Sequence, residues 1–313
     1  MGETILLYGD SGSGKTSQIV KLAEYIYEKH RKITRVVTWD GGGSKPIEDS
    51  GLIEAGVIKL INALNFPYAL AVLKRFTRGE WIYKTKDGQK VFAPTPDAAW
   101  EKIGAYAFEG LSSTSDRLLD HISEQDEKVV FQNARYVEDG ETIGTNNEGH
   151  YGLIQKEMHK AVIASKTLPV EYVMWTGHVS KAEDGRTRET AYGPQLAGKK
   201  KTLVAPGWFG SCLHIQTFEE PSEDSRYVEI SRFAYYINHP DPQTGVKYLA
   251  KARCAASVVP ELLELLPGGF VALTPEQGIE QYLKALDQLR VAARDKTNEW
   301  KRRIDNQIGE QKE

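Results

Sequence analysis

A glycine-rich motif close to the first residue constrains the fold and the chemistry of this chain more than any other feature. Residues 9–16 read Gly-Asp-Ser-Gly-Ser-Gly-Lys-Thr and match the pattern G-x-x-x-x-G-K-[ST] at every fixed position. The apolar run at 3–8 is typical of a buried strand, and residues 17–30 place apolar side chains at helical spacing. A glycine loop between a strand and a helix is the context in which this motif binds nucleotide phosphates.

The residue types in this loop suit an anionic ligand. Glycines let consecutive backbone N–H groups turn towards phosphate oxygens, and the N-terminus of the following helix favours negative charge. Lys15 is expected to reach the β- and γ-phosphates, and the Thr16 hydroxyl is expected to bind Mg²⁺. The sequence therefore predicts a nucleotide-phosphate and Mg²⁺ site formed by one continuous segment: Gly9, Asp10, Ser11, Gly12, Ser13, Gly14, Lys15, Thr16 and Ser17.

Composition excludes several other classes of protein. The 313 residues are 40% hydrophobic and 27% charged with a net charge of -3, which is ordinary for a globular chain of one large or two modest domains. Because no run of 18 apolar residues occurs, we expect no membrane span. Cys212 and Cys254 are too few for a disulfide framework or a cysteine zinc site. We expect a cytoplasmic protein without a membrane partner, in which any nucleic-acid contact uses a local basic patch.

Strand-like and helix-like segments alternate along most of the chain, which predicts an α/β fold with a mainly parallel sheet. Strands are predicted at 34–39, 57–61, 105–108 and 170–176, and helices at 66–77, 96–103, 115–122 and 151–166. Further strands at 213–218, 227–233 and 247–252 indicate a meander-like region.

Two insertions and a C-terminal extension complete the predicted organisation. Residues 79–95 carry Asp-Gly between two strand-like runs, which predicts a β-hairpin. Residues 131–150 are polar and rich in Gly and Asn, which predicts a mobile loop. From residue 261 the pattern becomes helical, with a long helix at 275–308. We therefore expect an ATPase domain over 1–260 and a helical extension over 261–313.

A phosphate-binding loop of this kind needs a second carboxylate, at the end of a neighbouring strand, to hold magnesium through water. Glu109 is the best match by position, since it follows the apolar run Ala-Tyr-Ala-Phe, and an ordinary surface glutamate is the alternative. Asp40, after the second strand, either polarises the attacking water or caps the Gly-rich loop that follows it. These two acids join Lys15 as predicted catalytic residues, together with His178 and Lys199.

Two later segments carry further candidate residues. His178 is predicted to close the strand at 170–176, where the carboxyl ends of parallel strands face the ligand, so it either senses the γ-phosphate or is structural. Lys199 begins a run of three lysines after Tyr-Gly-Pro-Gln-Leu-Ala-Gly. These lysines either supply charge to a neighbour's phosphate, contact DNA or are simply solvated.

The order of these motifs resembles that of phage-encoded RecA-like P-loop ATPases, including the group described as single-strand-annealing recombinases. The resemblance covers about residues 1–218 and includes the glycine loop, an acid followed by Leu-Ser-Ser, a Thr-Gly-His strand end and Tyr-Gly-Pro-x-Leu-x-Gly-Lys. It implies ATP and Mg²⁺ binding by residues 9–16, Glu109 in the Walker B place and His178 in the sensor place. It further implies a lysine such as Lys199 acting across a subunit interface, assembly into rings or filaments, and single-stranded DNA as partner. A phage-encoded protein of this kind works in the host cytoplasm.

Three features depart from the family pattern: Glu109 replaces the usual Asp, two insertions enlarge the core, and the C-terminal helix lengthens the chain. We expect a Mg²⁺-dependent ATPase that handles DNA in recombination or replication. A nucleotide-gated assembly protein with little turnover and a DNA-packaging ATPase are the alternatives. A small-molecule kinase would need lid arginines, for which Arg186 and Arg188 are the available source.

Overall fold

The structure is a computed structural model that describes residues 2–128, 135–138, 141–144, 148–184, 187–197, 202–221, 228–252 and 259–310. The strands in these ranges are β1 (Glu3–Gly9), β2 (Ile33–Thr38), β3 (Ile58–Asn62), β4 (Glu80–Lys84), β5 (Lys90–Pro94), β6 (Ile103–Glu109), β7 (Arg135–Glu138), β8 (Glu141–Gly144), β9 (Tyr172–Glu183), β10 (Thr190–Pro194), β11 (Ser211–Pro221), β12 (Val228–Tyr235), β13 (His239–Pro240), β14 (Lys247–Tyr248) and β15 (Phe270–Ala272). The helices are α1 (Lys15–His30), α2 (Lys45–Glu48), α3 (Ala69–Thr77), α4 (Asp97–Trp100), α5 (Leu111–Lys128), α6 (Glu148–Ser165), α7 (Val259–Leu265) and α8 (Glu280–Glu310).

The chain folds around a central sheet with the strand order β3–β2–β6–β9–β1–β11–β12–β15. The six strands from β3 to β11 pair in parallel, and β12 and β15 are added antiparallel at one edge. This arrangement confirms the prediction of an α/β fold with a mainly parallel sheet. Because parallel strands share one direction, the carboxyl ends of β1, β2, β6 and β9 lie along the same edge.

Side chains of successive residues in the central strands point to opposite faces, and helices cover both. In β1, Ile5 and Leu7 join the core formed with α1, α7 and α8, whereas Leu6 and Tyr8 join the core formed with α3, α5 and α6. Both faces of β1, of β6 and of the first half of β9 are therefore buried. This burial accounts for their almost continuous apolar sequence.

The predicted β-hairpin at 79–95 is confirmed, because β4 and β5 pair antiparallel around Asp87 and Gly88. The prediction of a loop over 131–150 is wrong where the structure describes it, because β7 and β8 form a second hairpin and α6 begins at Glu148. The mobility of this segment stays a prediction. Because this segment is highly polar, its sequence pattern did not indicate the two short strands. The remaining residues of that range lie outside the described part of the chain.

The structure corrects the predicted bounds of two helices and the predicted end of one strand. The predicted helix at 96–103 shortens to α4, because Ile103 already pairs with Ile33 of β2. The predicted helix at 115–122 starts earlier as α5, since Gly110 has a left-handed φ of 87° and its carbonyl accepts from the N–H of Thr114. His178 does not close β9, which continues to Glu183 because β10 pairs antiparallel with its second half.

The C-terminal segment combines a strand and helices and packs into the main core. β15 pairs with β12, which the helical pattern of this segment did not predict. Tyr282, Leu283 and Leu286 of α8 are fully buried in the same core as α1. Beyond Arg290 every side chain of α8 up to Arg303 is exposed, so the helix leaves the core there.

The division of the chain at residue 260 stays a prediction. Within the described ranges, no helix has the length and apolar content needed to span a membrane.

Candidate functional site

The predicted phosphate loop lies between the end of β1 and the start of α1. Gly12 and Gly14 have φ values of 76° and 90°, a region that L side chains rarely adopt, so the loop needs glycine at both positions. The N–H of Ser13 donates to the carbonyl of Asp10 at 3.2 Å, which closes the loop. Gly14 is the N-cap of α1, and no side chain caps this helix end. The first N–H groups of α1 therefore remain available for an anion.

The Lys15 side chain folds back over this loop. Its ammonium donates to the carbonyl oxygens of Gly9 at 3.0 Å and Asp10 at 2.5 Å, and to the Ser13 hydroxyl at 3.4 Å. Burial lowers the pKa of Lys15 to about 8, although the negative charges of Asp10, Asp40 and Glu109 oppose that shift. The loop thus holds a partly desolvated cation beside the free helix end.

Thr16 and Glu109 form the contact between the loop and the carboxyl end of β6. The Thr16 hydroxyl donates to Oε1 of Glu109 in a short hydrogen bond, and Glu109 is only 2% exposed. Its other oxygen, Oε2, is buried and has no hydrogen-bond partner among the described residues. Burial raises the pKa of Glu109, and Asp40 adds to this effect, whereas hydrogen bonds from Thr16 and Thr38 and the charge of Lys15 counter it. Glu109 is therefore an incompletely satisfied buried acid directly beneath Thr16.

Asp40 follows β2 and lies next to the same contact. A Cβ atom placed on Gly43 would lie 2.6 Å from Oδ2 of Asp40 and 3.1 Å from Oε1 of Glu109, so the two carboxylates face one point. Oδ1 of Asp40 accepts from the N–H of Gly42 at 3.3 Å. One carboxylate oxygen therefore caps the glycine loop while the other faces Glu109.

These residues fit a magnesium ion. Mg²⁺ prefers hard oxygen ligands, uses one or two protein carboxylates and takes its remaining ligands from water and substrate phosphates. The Thr16 hydroxyl and the Glu109 carboxylate are such ligands, and the unpartnered Oε2 atom is an acceptor that a bound water would satisfy. Within the described ranges, no group of three or more His, Cys, Asp or Glu side chains could hold a metal. The donor set suits an ion held together with a nucleotide better than a metal held by protein alone.

His178 occupies the neighbouring position on β9, opposite Gly9 in the strand register. Its backbone N–H donates to the Ser112 hydroxyl at 2.9 Å, and that hydroxyl donates to the carbonyl of Gln195 at 3.0 Å. The N–H of Gln195 donates in turn to the carbonyl of His178 at 2.7 Å. Burial lowers the pKa of His178 and the Lys15 charge lowers it further, while Asp40, Asp116 and Asp10 oppose the shift. A neutral imidazole is therefore favoured at physiological pH.

The loop opens into a pocket of about 740 Å³. Its lining brings together the phosphate loop, the Gly-rich loop after β2, the middle of β9 and two C-terminal segments: Ser11, Gly12, Gly14, Lys15, Thr16, Ser17, Gln18, Lys21, Asp40, Gly42, Gly43, Pro46, His178, Arg232, Leu273, Thr274 and Pro275. The predicted residues Lys15, Thr16, Asp40 and His178 therefore share one cavity, with Glu109 buried beneath Thr16. Lys199 and Arg186 lie outside the described residues.

Arg232 and the segment after β15 line the pocket although sequence reasoning did not select them. Arg232 lies on β12, which is antiparallel and carries no motif, and Leu273–Pro275 directly follow a strand that was not predicted. Only the strand order brings them to the loop. β12 also contains Glu229 and Ser231, so no feature of its sequence singled out Arg232.

No protein-family model matches this chain, and a search of curated proteins finds no match.

Proposed function

We propose that this chain binds ATP with Mg²⁺ and hydrolyses it. The observation that carries this proposal is the hydrogen bond from Thr16 of the phosphate loop to the buried Glu109 at the end of β6. A threonine that contacts a strand-end acid beside an uncapped helix end is the arrangement that a magnesium–triphosphate complex requires. The RecA-like assignment of this core is part of the proposal.

In the proposed reaction, water attacks the γ-phosphate in line with the leaving oxygen of ADP. The N–H groups of the loop and of α1 hold the phosphate oxygens. The Lys15 ammonium exchanges its loop carbonyls for the β- and γ-phosphates. The bound Mg²⁺ supplies charge neutralisation of the triphosphate, and Thr16 and Glu109 are the residues that would hold it.

Asp40 is the proposed acceptor of the proton from the attacking water. Its Oδ2 faces the same point as Glu109, whereas its Oδ1 is occupied by the N–H of Gly42. His178 borders the same side of the pocket and, as a neutral imidazole, is suited to donate one hydrogen bond to a γ-phosphate oxygen.

We further propose that turnover is coupled to DNA, with single-stranded DNA as partner and a ring or filament as the working assembly. The support for this part is the motif order of residues 1–218, including the Tyr192–Ala197 segment, which hydrogen bonds fix to His178 of β9 and to the start of α5. In the sequence this segment is followed by Lys199, the proposed residue for a neighbouring subunit's phosphate.

The test is ATP turnover by the wild type and Lys15→Ala, each without DNA, with single-stranded DNA and with duplex DNA. We expect stimulation by single strands that the variant loses. Tight ATP binding with negligible turnover under all three conditions would instead favour a nucleotide-gated assembly protein. Stimulation by a small phosphate acceptor and not by DNA would favour a kinase.

A further inference from the structure

We infer that Arg232 is a nucleotide-binding residue that contacts the α- and β-phosphates from within the same chain. This inference rests on the proposed function, because it assigns a ligand contact in the same pocket. It adds a cation that no sequence motif identifies, from a strand on the opposite side of β1 from Glu109 and His178.

The position of Arg232 is set by the sheet. β12 pairs antiparallel with β11, and Arg232 lies opposite Thr217 in the register. From there its side chain reaches the phosphate loop, where Cδ and Nε lie 3.4 Å and 3.5 Å from a Cβ atom placed on Gly14. Gly14 is the N-cap of α1, so the guanidinium lies beside the helix end that favours anions.

The Arg232 guanidinium has a buried N–H donor for which the described residues provide no acceptor. Nε of Arg232 is buried and has no hydrogen-bond partner among the described residues. A buried donor without an acceptor costs free energy, and the cost is larger for a charged group. Arginine matches phosphate oxygens with a planar fork of N–H donors, so a phosphate at the helix end would satisfy this group.

The two sides of the pocket determine which phosphates Arg232 meets. Thr16 and Glu109 lie on the side of β6 and β2 and would hold a magnesium ion that neutralises the terminal phosphates, so the γ-phosphate would lie on that side. Arg232 lies on the other side, together with the segment after β15. The triphosphate must run from the acids towards Arg232, which places the α- and β-phosphates nearest the guanidinium.

The wall next to Arg232 is suited to the rest of a nucleotide. Gln18 of α1, which lines this wall, is 5% exposed, and its Oε1 atom is packed against Gly278. Leu273 and Pro275 add apolar surface to the same wall. Such largely apolar surface suits a nucleoside better than a γ-phosphate.

The experiment is calorimetric titration of wild type, Arg232→Met and Arg232→Lys with ADP and with a non-hydrolysable ATP analogue, each in the presence of Mg²⁺. Arg232→Met keeps an unbranched apolar side chain but removes the charge and the donors. We expect the Kd of both nucleotides to rise by the same factor, roughly tenfold to hundredfold. Arg232→Lys keeps a charge but loses the fork, so its loss should be smaller and again equal for the two ligands.

Arg303→Met is the matched control, because Arg303 is exposed near the end of α8 and its loss changes the net charge equally. Its affinities should equal those of the wild type. Thermal unfolding without nucleotide checks that each variant is folded. If Arg232→Met does not fold, the affinities of Arg232→Lys provide the test. A loss confined to the ATP analogue would overturn the inference, because it would place Arg232 at the γ-phosphate. Unchanged affinity for both nucleotides would also overturn it while the proposed function stands. A wild type that binds neither nucleotide would overturn both.

Discussion

Lys15 is held by the same groups that a nucleotide would displace. Its ammonium donates to two loop carbonyls and to Ser13, and its burial costs it much of its ordinary hydration. A phosphate would replace neutral carbonyl acceptors with charged ones, which are stronger acceptors for an ammonium. A bound phosphate should therefore stabilise the protonated form of Lys15 more than the loop carbonyls do.

This exchange predicts a pH dependence of nucleotide binding. The pKa of Lys15 is lowered to about 8 in the empty loop, and a bound phosphate should raise it towards its ordinary value near 10.4. Between these two values binding takes up a proton, so the affinity for ADP should fall as the pH rises from about 8 to 10. Calorimetry in buffers of different ionisation enthalpy measures that uptake, and proton release in this range would contradict the account.

The carboxylate of Glu109 is proposed to serve the magnesium site, but its burial destabilises the fold when it is ionised. Burial raises its pKa, so the folded state binds this proton more tightly than the unfolded state does. The sign of the linkage follows directly: the contribution of Glu109 to stability is lost as pH rises from the unfolded pKa, near 4.3, through the raised folded value. At neutral pH the ionised Glu109 therefore destabilises the fold.

Replacing Glu109 by Gln should stabilise the empty protein and weaken its magnesium-dependent function. The amide oxygen can still accept from Thr16, but the buried negative charge is gone. We expect a higher midpoint of urea unfolding at pH 7, a difference that shrinks towards pH 4, and a loss of ATP turnover of roughly tenfold or more. Glu229→Gln, on an exposed part of β12, is the control. Lower stability together with full turnover would show that Glu109 is not the magnesium-side acid.

At the scale of elements, one acid of α8 connects three parts of the structure. Asp287 accepts from the hydroxyls of Tyr25 in α1 at 2.6 Å and Tyr172 in β9 at 2.7 Å. It also forms ion pairs with Lys29 and Arg290. Burial would raise the pKa of Asp287, but the hydrogen bonds from Lys29, Tyr25 and Tyr172 outweigh it and lower that pKa.

Asp287→Asn should therefore loosen α8 from the core. We expect a loss of about 2 kcal/mol in the free energy of unfolding at pH 7, because several hydrogen bonds to one charged group are weakened together. The lowered pKa means that this contribution is present above pH 4 and lost as the pH falls through the folded value, so the difference should vanish in acid. Urea unfolding at several pH values measures it, with the exposed Asp295→Asn as control. Equal losses in both variants would refute a specific role for Asp287.

The elements that sequence predicts well are those with a local signal. β1, the phosphate loop and α1 follow from apolar spacing and glycine positions within 30 residues, and the Asp-Gly turn marks the first hairpin. The second half of β9 has no such signal, because its continuation past His178 depends on pairing with β10. β15 likewise exists as a strand because β12 offers it a free edge.

At the scale of the whole molecule, the pocket joins segments that are far apart in sequence. Lys15, Asp40 and His178 could be selected from the sequence because each follows a recognisable strand. Arg232 and the segment at 273–275 could not, since their place beside Gly14 depends on the order of β11, β12 and β15 in the sheet. Sequence therefore indicated the side of the pocket formed by Lys15, Asp40 and His178, whereas the opposite wall could be identified only from the tertiary structure.

The net charge of -3 makes a prediction about the proposed DNA partner. With no overall positive charge, single-stranded DNA must bind through a local group of Lys and Arg side chains, and each neutralised phosphate releases counterions. We expect the logarithm of the binding constant to fall linearly with the logarithm of salt concentration, with a slope of about -0.7 for each phosphate contact. Fluorescence anisotropy with a labelled oligonucleotide measures this slope, and an affinity that does not change with salt would exclude such a contact.

The central claim is that the loop between β1 and α1 binds a magnesium–nucleotide complex, and calorimetric titration of Mg–ATP into wild type and Lys15→Ala tests it most directly. We expect saturable binding of one ATP per chain by the wild type, weaker binding when Mg²⁺ is withdrawn, and a Kd at least roughly tenfold higher in the variant. Thermal unfolding of the two empty proteins should coincide to within a few degrees, since Lys15 adds little to the apolar core. Equal affinity of both proteins for Mg–ATP, or no binding by the wild type, would contradict the account.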